Sequence, residues 1–286
     1  MKKILVTGAN GQLGQCLQKI SSQFEEFEFI FTDSETLDIT NKEEVNDFFW
    51  QNAPDFCINA AAYTAVDLAE TDIEKAFLVN ADGAENLAEA CAENNAQFIH
   101  VSTDYVFDGE NNLAYTEEDF TNPLGVYGAS KLAGDELALE VNPCSVILRT
   151  SWVYSEFGKN FVKIMLNLFA TKEELNIVAD QFGQPTNAND LAEAIMKIIK
   201  SEKITPGIFN FSNLGRISWF DFAEKIAELS EAKIKLNAIE TSQYPTPAKR
   251  PKNSVLDLDK ISKTYAIQLK SWEESLEDCV QILQNN

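Results

Sequence analysis

Residues 2–14, KKILVTGANGQLG, set a short apolar run directly before three glycines, Gly8, Gly11 and Gly14, and a helix-patterned segment follows. The chain has 12 glycines in 286 residues, and by chance about 0.02 triplets of the form G-x-x-G-x-x-G are expected. A strand that turns on glycine into a helix opens a βαβ unit. The glycines permit the tight turn and let backbone N–H groups approach a dinucleotide pyrophosphate at a helix N-terminus, where the dipole favours anions. A glycine turn serving packing alone would leave the same strand and helix. Either way the chain is committed to a parallel sheet covered by helices.

That alternation continues for about half the chain. Strands are predicted at FEFIFTD (27–33), DFCINAAA (55–62), AQFIHVSTDYVF (96–107, running into a loop) and CSVILRTSWVY (144–154). Between them lie a helix over 41–52 with Val45, Phe48 and Phe49 on one face, one long helix over 70–94, and a helix carrying Tyr127 and Lys131. Beyond residue 150 the pattern loosens: helices at 160–170, 187–200, 219–229 and 271–283, strands at 175–180 and 207–213. The reading is an α/β fold, a Rossmann doubly wound parallel sheet in residues 1–148, to which the strand near 207–213 returns. A smaller interleaved α/β substrate-binding domain takes 149–206 and 214–286.

Composition excludes several classes of function. A net charge of -22 repels nucleic acid and anionic lipid, so neither is an expected partner. No apolar run approaches the roughly 18–20 residues of a membrane span, and the apolar run after Met1 fails at Thr7, which together predict a cytoplasmic protein. Five cysteines lack C-x-x-C spacing, and with a single histidine no metal site is expected. Arginine occurs only at 149, 216 and 250, so PAKRPK (247–252) is the densest basic cluster, a solvated loop or the basic end of an anion site.

The chemistry-bearing residues gather at predicted strand ends. Asp33, nineteen residues past Gly14, can bond an adenosine ribose and disfavours a 2'-phosphate. Leu37, Asp38 and Ile39 flank an adenine or form a solvated turn. Ala60, Ala61 and Ala62 either leave room for a dinucleotide or pack the core. Ser102, Thr103 and Asp104 end the fourth strand, where hydroxyls can bond a carbonyl oxygen gaining charge; Asp104 accepts a sugar hydroxyl or caps a turn. His100, inside that strand, reads as a core histidine. In GVYGASKL, Tyr127 and Lys131 share a helix face, a spacing that alone is expected about 0.5 times by chance.

The combination GANGQLG, NAAAYTAVD, STDYVF and YGASK resembles the extended short-chain dehydrogenase/reductases, Rossmann enzymes acting largely on nucleotide sugars. VYGASKLAGDE, LRTSWVY, NFVKIML, DQFGQPT and YPTPAKRPKNSVLD narrow the resemblance to the dTDP-4-dehydrorhamnose reductases, from Lys3 to about Trp272. It implies NADPH or NADH as cofactor and a small nucleotide-sugar substrate. It implies Thr103, Tyr127 and Lys131 as the catalytic set, with Tyr127 protonating the sugar C4 oxygen and Lys131 lowering the tyrosine pKa from about 10. Gly8, Asn10, Gly11, Gln12, Leu13, Gly14, Asp33, Asp38, Ile39, Ala61, Ala62, Tyr63, Thr64 and Ser102 would line the cofactor together with Tyr127 and Lys131. Thr103, Asp104, Trp152 and Arg250 would touch substrate. Some family members dimerise around magnesium held by glutamates. GQCLQ has Cys16 where one would stand, which predicts a monomer or weak dimer without that ion. A reductase or epimerase for another 4-keto sugar, and a non-catalytic regulatory subunit, are the rival readings.

Overall fold

A computed structural model describes residues 1–285. Strands β1 (Lys2–Thr7), β2 (Phe27–Phe31), β3 (Phe56–Asn59), β4 (Gln97–Thr103), β5 (Val146–Thr150) and β6 (Gly207–Asn210) form one sheet in the order β6-β5-β4-β3-β1-β2. Every neighbouring pair is parallel. A parallel sheet must be covered on both faces, so its strands are apolar on both. Ile4, Val6, Ile58, Ile99 and Leu148 enter one core, with helices α1 (Gln12–Ser21) and α5 (Ala188–Ile199). Their alternates Leu5, Cys57, Phe98 and Ile147 enter the other, with α2 (Lys42–Asn52), α3 (Gly83–Glu93) and α4 (Val126–Val141). The doubly wound Rossmann-like sheet expected from the alternation is present.

The chain order reverses between β1 and β3, which opens a crevice beyond the carboxyl ends of the strands. A third core, around Tyr154, Met165, Phe222, Trp272 and Leu276, lies among the later helices and two-stranded sheets. Those sheets pair Glu174–Val178 with Lys235–Ile239 and Val153–Tyr154 with Thr186–Asn187 in parallel, and Phe182–Gly183 with Ile217–Ser218 antiparallel.

Two predicted elements differ from those observed. The run 144–154 is two strands, because Trp152 adopts φ 47 and breaks the extended chain. The helix over 70–94 is several: Val66–Ala69, Ile73–Phe77, a π-helical turn Leu78–Asp82, and α3. The wide turn carries Asn80 inward, where Nδ2 donates to Ser130 Oγ at 2.9 Å and Oδ1 accepts from Tyr63 N at 2.8 Å. On α4, Gly134 lies so close to Asn80 O that no Cβ fits there.

Gly8 couples the glycine turn to the sheet. Its φ is 66, and a Cβ would come within 2.7 Å of the Ala60 and Ala61 backbone. Gly8→Ala is therefore expected to cost about 2–4 kcal/mol. Urea unfolding checks this; an unchanged midpoint contradicts the close approach.

Candidate active site

Helix α4 starts at Gly125, which has no side chain to cap it; Glu70 supplies the acceptor instead, taking Val126 N–H at 2.9 Å. From there Tyr127, Lys131 and Asp135 follow at four-residue intervals on one face. Thr103, the last residue of β4, borders the same cleft as the Tyr127 phenol. Its Oγ1 donates to Asp104 Oδ1 at 3.0 Å and accepts from Tyr105 N at 3.2 Å. The Tyr105 ring meets Tyr127 edge-on at 5.6 Å.

These groups line a cleft of about 550 Å³. Gly11, Gln12, Leu13, Ala62, Thr64, Ser102, Thr103, Asp104, Tyr127, Lys131 and Trp152 border it, with Lys159 and Trp219. Trp152 and Trp219 stack at 3.5 Å and 8°, forming one wall. A left-handed backbone at a bulky residue is strained. Here the strain aims the Trp152 ring against Gly183, whose missing Cβ leaves room for the indole.

Two further cavities adjoin. One, of about 360 Å³, is lined by Gly8, Asn10, Gly11, Asp33, Asp38, Ile39, Ala61 and Ala62, with Ser34, Glu35 and Thr40. Asn10 Nδ2 donates to Asp33 Oδ2 at 2.6 Å, and hydrogen bonds from the Thr36 hydroxyl and the Glu35 N–H hold the Asp33 carboxyl below its usual range. The other, of about 510 Å³, shares Trp219 with the main cleft and is lined by Phe161, Met165, Leu175, Tyr244 and Arg250. The Arg250 fork is engaged by Asp67 at 2.9 and 2.8 Å.

Some predicted residues have other partners. Gly14 lies under Gly8 O and Ala9, where it lets α1 approach the turn; it lines none of these cavities. Tyr63 is directed to Asp72, its hydroxyl donating at 3.1 Å. Gln12 borders the cleft, but its side chain donates to Val153 O at 3.3 Å and accepts from Ser155 and Asn160, tying α1 to the 151–160 loop. Glu70, Asn80 and Asp135 are absent from the sequence-level set. Asp135 had a signal, four residues past Lys131; Glu70 and Asn80 act across 56 and 50 residues, which local spacing does not report.

The electrostatics depend on burial. It pushes the Tyr127 phenol up to about 12, with Thr103 opposing and the Asp104 and Asp135 charges adding to the rise. The lowering by Lys131 that the resemblance implies does not offset this. The ammonium is turned into the protein, donating to Val101 O at 2.7 Å beside His100 Nε2 at 3.1 Å. Burial pulls Lys131 down to about 8, against the attraction of Asp135. Asp104 is pushed up to about 6, again chiefly by burial. Ser254 and Thr103 ease that rise, yet Asp104 Oδ2 has no hydrogen-bond partner of good geometry.

The site fits a dinucleotide. The α1 N-terminus is capped by Gly11, with no side chain on its free N–H groups and no acid in the first turn. Asp33 and Asp38 border the adjoining cavity as ribose-binding carboxylates would. Among the described residues no group of three or more His, Cys, Asp or Glu side chains is placed to hold a metal ion, and no helix is long and apolar enough to cross a membrane.

The profile of the RmlD substrate binding domain family matches residues 1–285. A dTDP-4-dehydrorhamnose reductase of Aggregatibacter actinomycetemcomitans is 44% identical over 288 residues, covering 97% of this chain and 98% of that protein. The crystal structure of a dTDP-4-dehydrorhamnose reductase from Clostridium acetobutylicum is 43% identical with a TM-score of 0.94, covering 99% of each chain. That of the Bacillus anthracis dTDP-4-dehydrorhamnose reductase, in complex with NADP, is 39% identical with a TM-score of 0.95, covering 99% of this chain and 100% of that one.

The unbonded Asp104 oxygen has a measurable consequence. A carboxyl whose pKa rises on folding holds its proton more tightly folded than unfolded. Stability therefore falls as pH climbs from about 4 to about 6, and the burial cost is complete above that. Asp104→Asn is expected to stabilise the protein at pH 7.5 by about 1–3 kcal/mol and to lose that advantage at pH 4. Urea titrations at both pH values check this; a destabilised variant at pH 7.5 contradicts it.

Proposed function

The chain belongs to the RmlD substrate binding domain family, and we propose that it acts as a dTDP-4-dehydrorhamnose reductase. In that role it reduces the C4 keto group of dTDP-4-dehydro-6-deoxy-L-mannose with NADPH or NADH, giving dTDP-L-rhamnose, the last step of dTDP-rhamnose synthesis. The observation that carries this reading is the match to such reductases over almost the whole chain. It is supported by Thr103, Tyr127 and Lys131 lining one cleft.

Gly8, Asn10, Gly11 and Leu13 would hold the pyrophosphate, Asp33, Asp38 and Ile39 the adenosine, and Ala61, Ala62, Thr64 and Ser102 the nicotinamide half. When bound, the reduced nicotinamide supplies a hydride to C4. As the C4 oxygen gains charge, the Tyr127 O–H bond breaks and its proton bonds to that oxygen. A phenol near 12 remains a far stronger acid than the alcohol being formed, so the transfer is downhill once hydride has moved. Thr103 turns its O–H from Asp104 Oδ1 to the phenolate left behind. Asp104 accepts a sugar hydroxyl, the Trp152–Trp219 wall covers the deoxysugar, and Arg250 borders the cavity proposed for the dTDP end.

We propose a dinucleotide-binding part, 1–148 with the strand near 207–213, and a substrate-binding part within 149–206 and 214–286 around the third core. Helix α5 with Ile261, Tyr265 and Ile267, which the sequence pattern places in the substrate-binding part, packs on the sheet in the first core instead. We also propose a cytoplasmic protein, a monomer or weak dimer assembled without a bridging magnesium.

Purified protein is expected to oxidise the reduced cofactor only when the ketosugar is added; no substrate-dependent loss of absorbance with either cofactor overturns the assignment. Tyr127→Phe is expected to lower kcat by at least about 100-fold while cofactor affinity changes less than about twofold. A fully active variant removes Tyr127 from the mechanism. The adenosine cavity holds Asp33, Glu35 and Asp38 and neither lysine nor arginine. A 2'-phosphate placed there meets like charge, so NADH is expected to bind about tenfold more tightly than NADPH by calorimetry. The reverse order contradicts this.

A further inference from the structure

Behind Lys131 a chain of buried polar groups crosses three strands. Thr7 O–H donates to Asn59 Oδ1 at 2.8 Å, and Ala61 N–H donates to the same oxygen at 3.1 Å. Asn59 Nδ2 stands 3.0 Å from His100 Nδ1, and His100 Nε2 stands 3.1 Å from Lys131 Nζ. Thr7, Asn59, His100 and Lys131 are each at most 1% exposed, so no solvent takes the place of a missing partner.

The donors and acceptors fix the protons. Only an acceptor can face Ala61 N–H, so Asn59 presents its oxygen there and its NH₂ to His100. His100 Nδ1 therefore accepts, and a neutral imidazole with Nδ1 bare carries its proton on Nε2. Burial, and then the Lys131 charge, keep the ring neutral by holding its pKa well below the usual value. The Nε2–H faces Lys131 Nζ, with Asp135 Oδ1 further off at 3.8 Å. An ammonium offers three donors and no acceptor, so it meets this N–H as a second donor; a free amine has a lone pair to receive it.

We propose that His100, locked by Asn59 as the Nε2–H tautomer, is a positioning residue that favours the free-amine form of Lys131 and so readies that lysine to return a proton to Tyr127. This rests on the reductase reading of Tyr127 and Lys131. After Tyr127 has given its proton to the C4 oxygen, one N–H bond of the Lys131 ammonium breaks. The proton restores the phenol, and the electron pair stays on nitrogen, where it accepts the His100 Nε2–H. Water entering the cleft that Lys131 borders then gives a proton to the amine and passes the hydroxide to bulk solvent, and this is the proton the reduction consumes. The titratable and charged groups around Lys131 Nζ are His100 from β4, Asp135 from its own helix and, through Asp135, Arg149 from β5, while Tyr127 and Asp104 border the same cleft. Asp135 favours the ammonium; its Oδ2 is engaged by Ser102 at 2.8 Å and Arg149 at 3.3 Å, its Oδ1 has no hydrogen-bond partner among the described residues, and His100 opposes that attraction.

The chain has one histidine, so uniform ¹⁵N-histidine labelling of the full protein gives a single ring without assignment. Two-bond ¹⁵N–¹H correlation spectra between pH 5.5 and 9 are expected to show the neutral Nε2–H form throughout, with the Nε2 signal moving as Lys131 titrates. The Nδ1–H tautomer, or an imidazolium at pH 7, overturns the proposal. In kinetics, His100→Phe is expected to move the basic limb of the kcat–pH profile up by about one unit while KM for the ketosugar stays within about twofold. An unmoved limb overturns it. If that variant does not fold, the wild-type spectrum decides alone. The spectrum needs neither substrate nor cofactor, so failure of the tautomer lock is seen separately from failure of the reductase reading.

Discussion

A buried lysine on α4 is the constraint on which the site depends. An ammonium removed from water is costly unless it is bonded and paired, and Lys131 finds Val101 O and the nearby Asp135. Those partners exist only if the face carrying Tyr127, Lys131 and Asp135 lies directly on β4. That contact also sets Ser102 and Thr103, the end of the same strand, and Asp104 just beyond it, beside the tyrosine. One packing decision therefore delivers the proton donor, the hydroxyl that steadies it and the buried polar groups behind it. The same low-polarity setting raises Tyr127 and Asp104 and lowers Lys131, so all three favour their neutral forms more than they would in water.

The sheet supplies the rest. Reversal of strand order between β1 and β3 opens the crevice, and the glycine turn after β1 borders it with a helix N-terminus free of side-chain caps. Gln12 then ties that helix to the 151–160 loop, so the cofactor-binding motif and the Trp152 wall are held in register by hydrogen bonds. The net charge of -22 implies that an anionic ligand needs local cations. Lys131 and Lys159 border the main cleft and Arg250 the cavity beside it.

Periodicity revealed the sheet because each β-strand is apolar on both faces and each helix on one. It placed Thr103, Tyr127 and Lys131 at a strand end and on a helix face, and the fold brings them to one cleft. Periodicity carried no sign of the break at Trp152, which comes from a left-handed backbone supported by Trp219 and Gly183, far along the chain. It also gave one long helix where Asn80 forces a π turn, because the partner that rewards the distortion, Ser130, is 50 residues away. Tyr63 and Gly14 sat in the right motif but have local duties, one bonded to Asp72 and the other under the glycine turn. His100 reads as a core histidine and is one, with 0% exposure; its contact with Lys131 depends on a helix 31 residues later.

The central claim is that this cleft adds a hydride to C4 of the nucleotide ketosugar and a proton to its oxygen, on one face only. The most direct measurement is NMR of the product ring after turnover with cofactor deuterated at the nicotinamide C4. The account predicts a single deuterium at C4 of a sugar with the L-rhamno configuration. A product without deuterium at C4, or the C4 epimer, would contradict it.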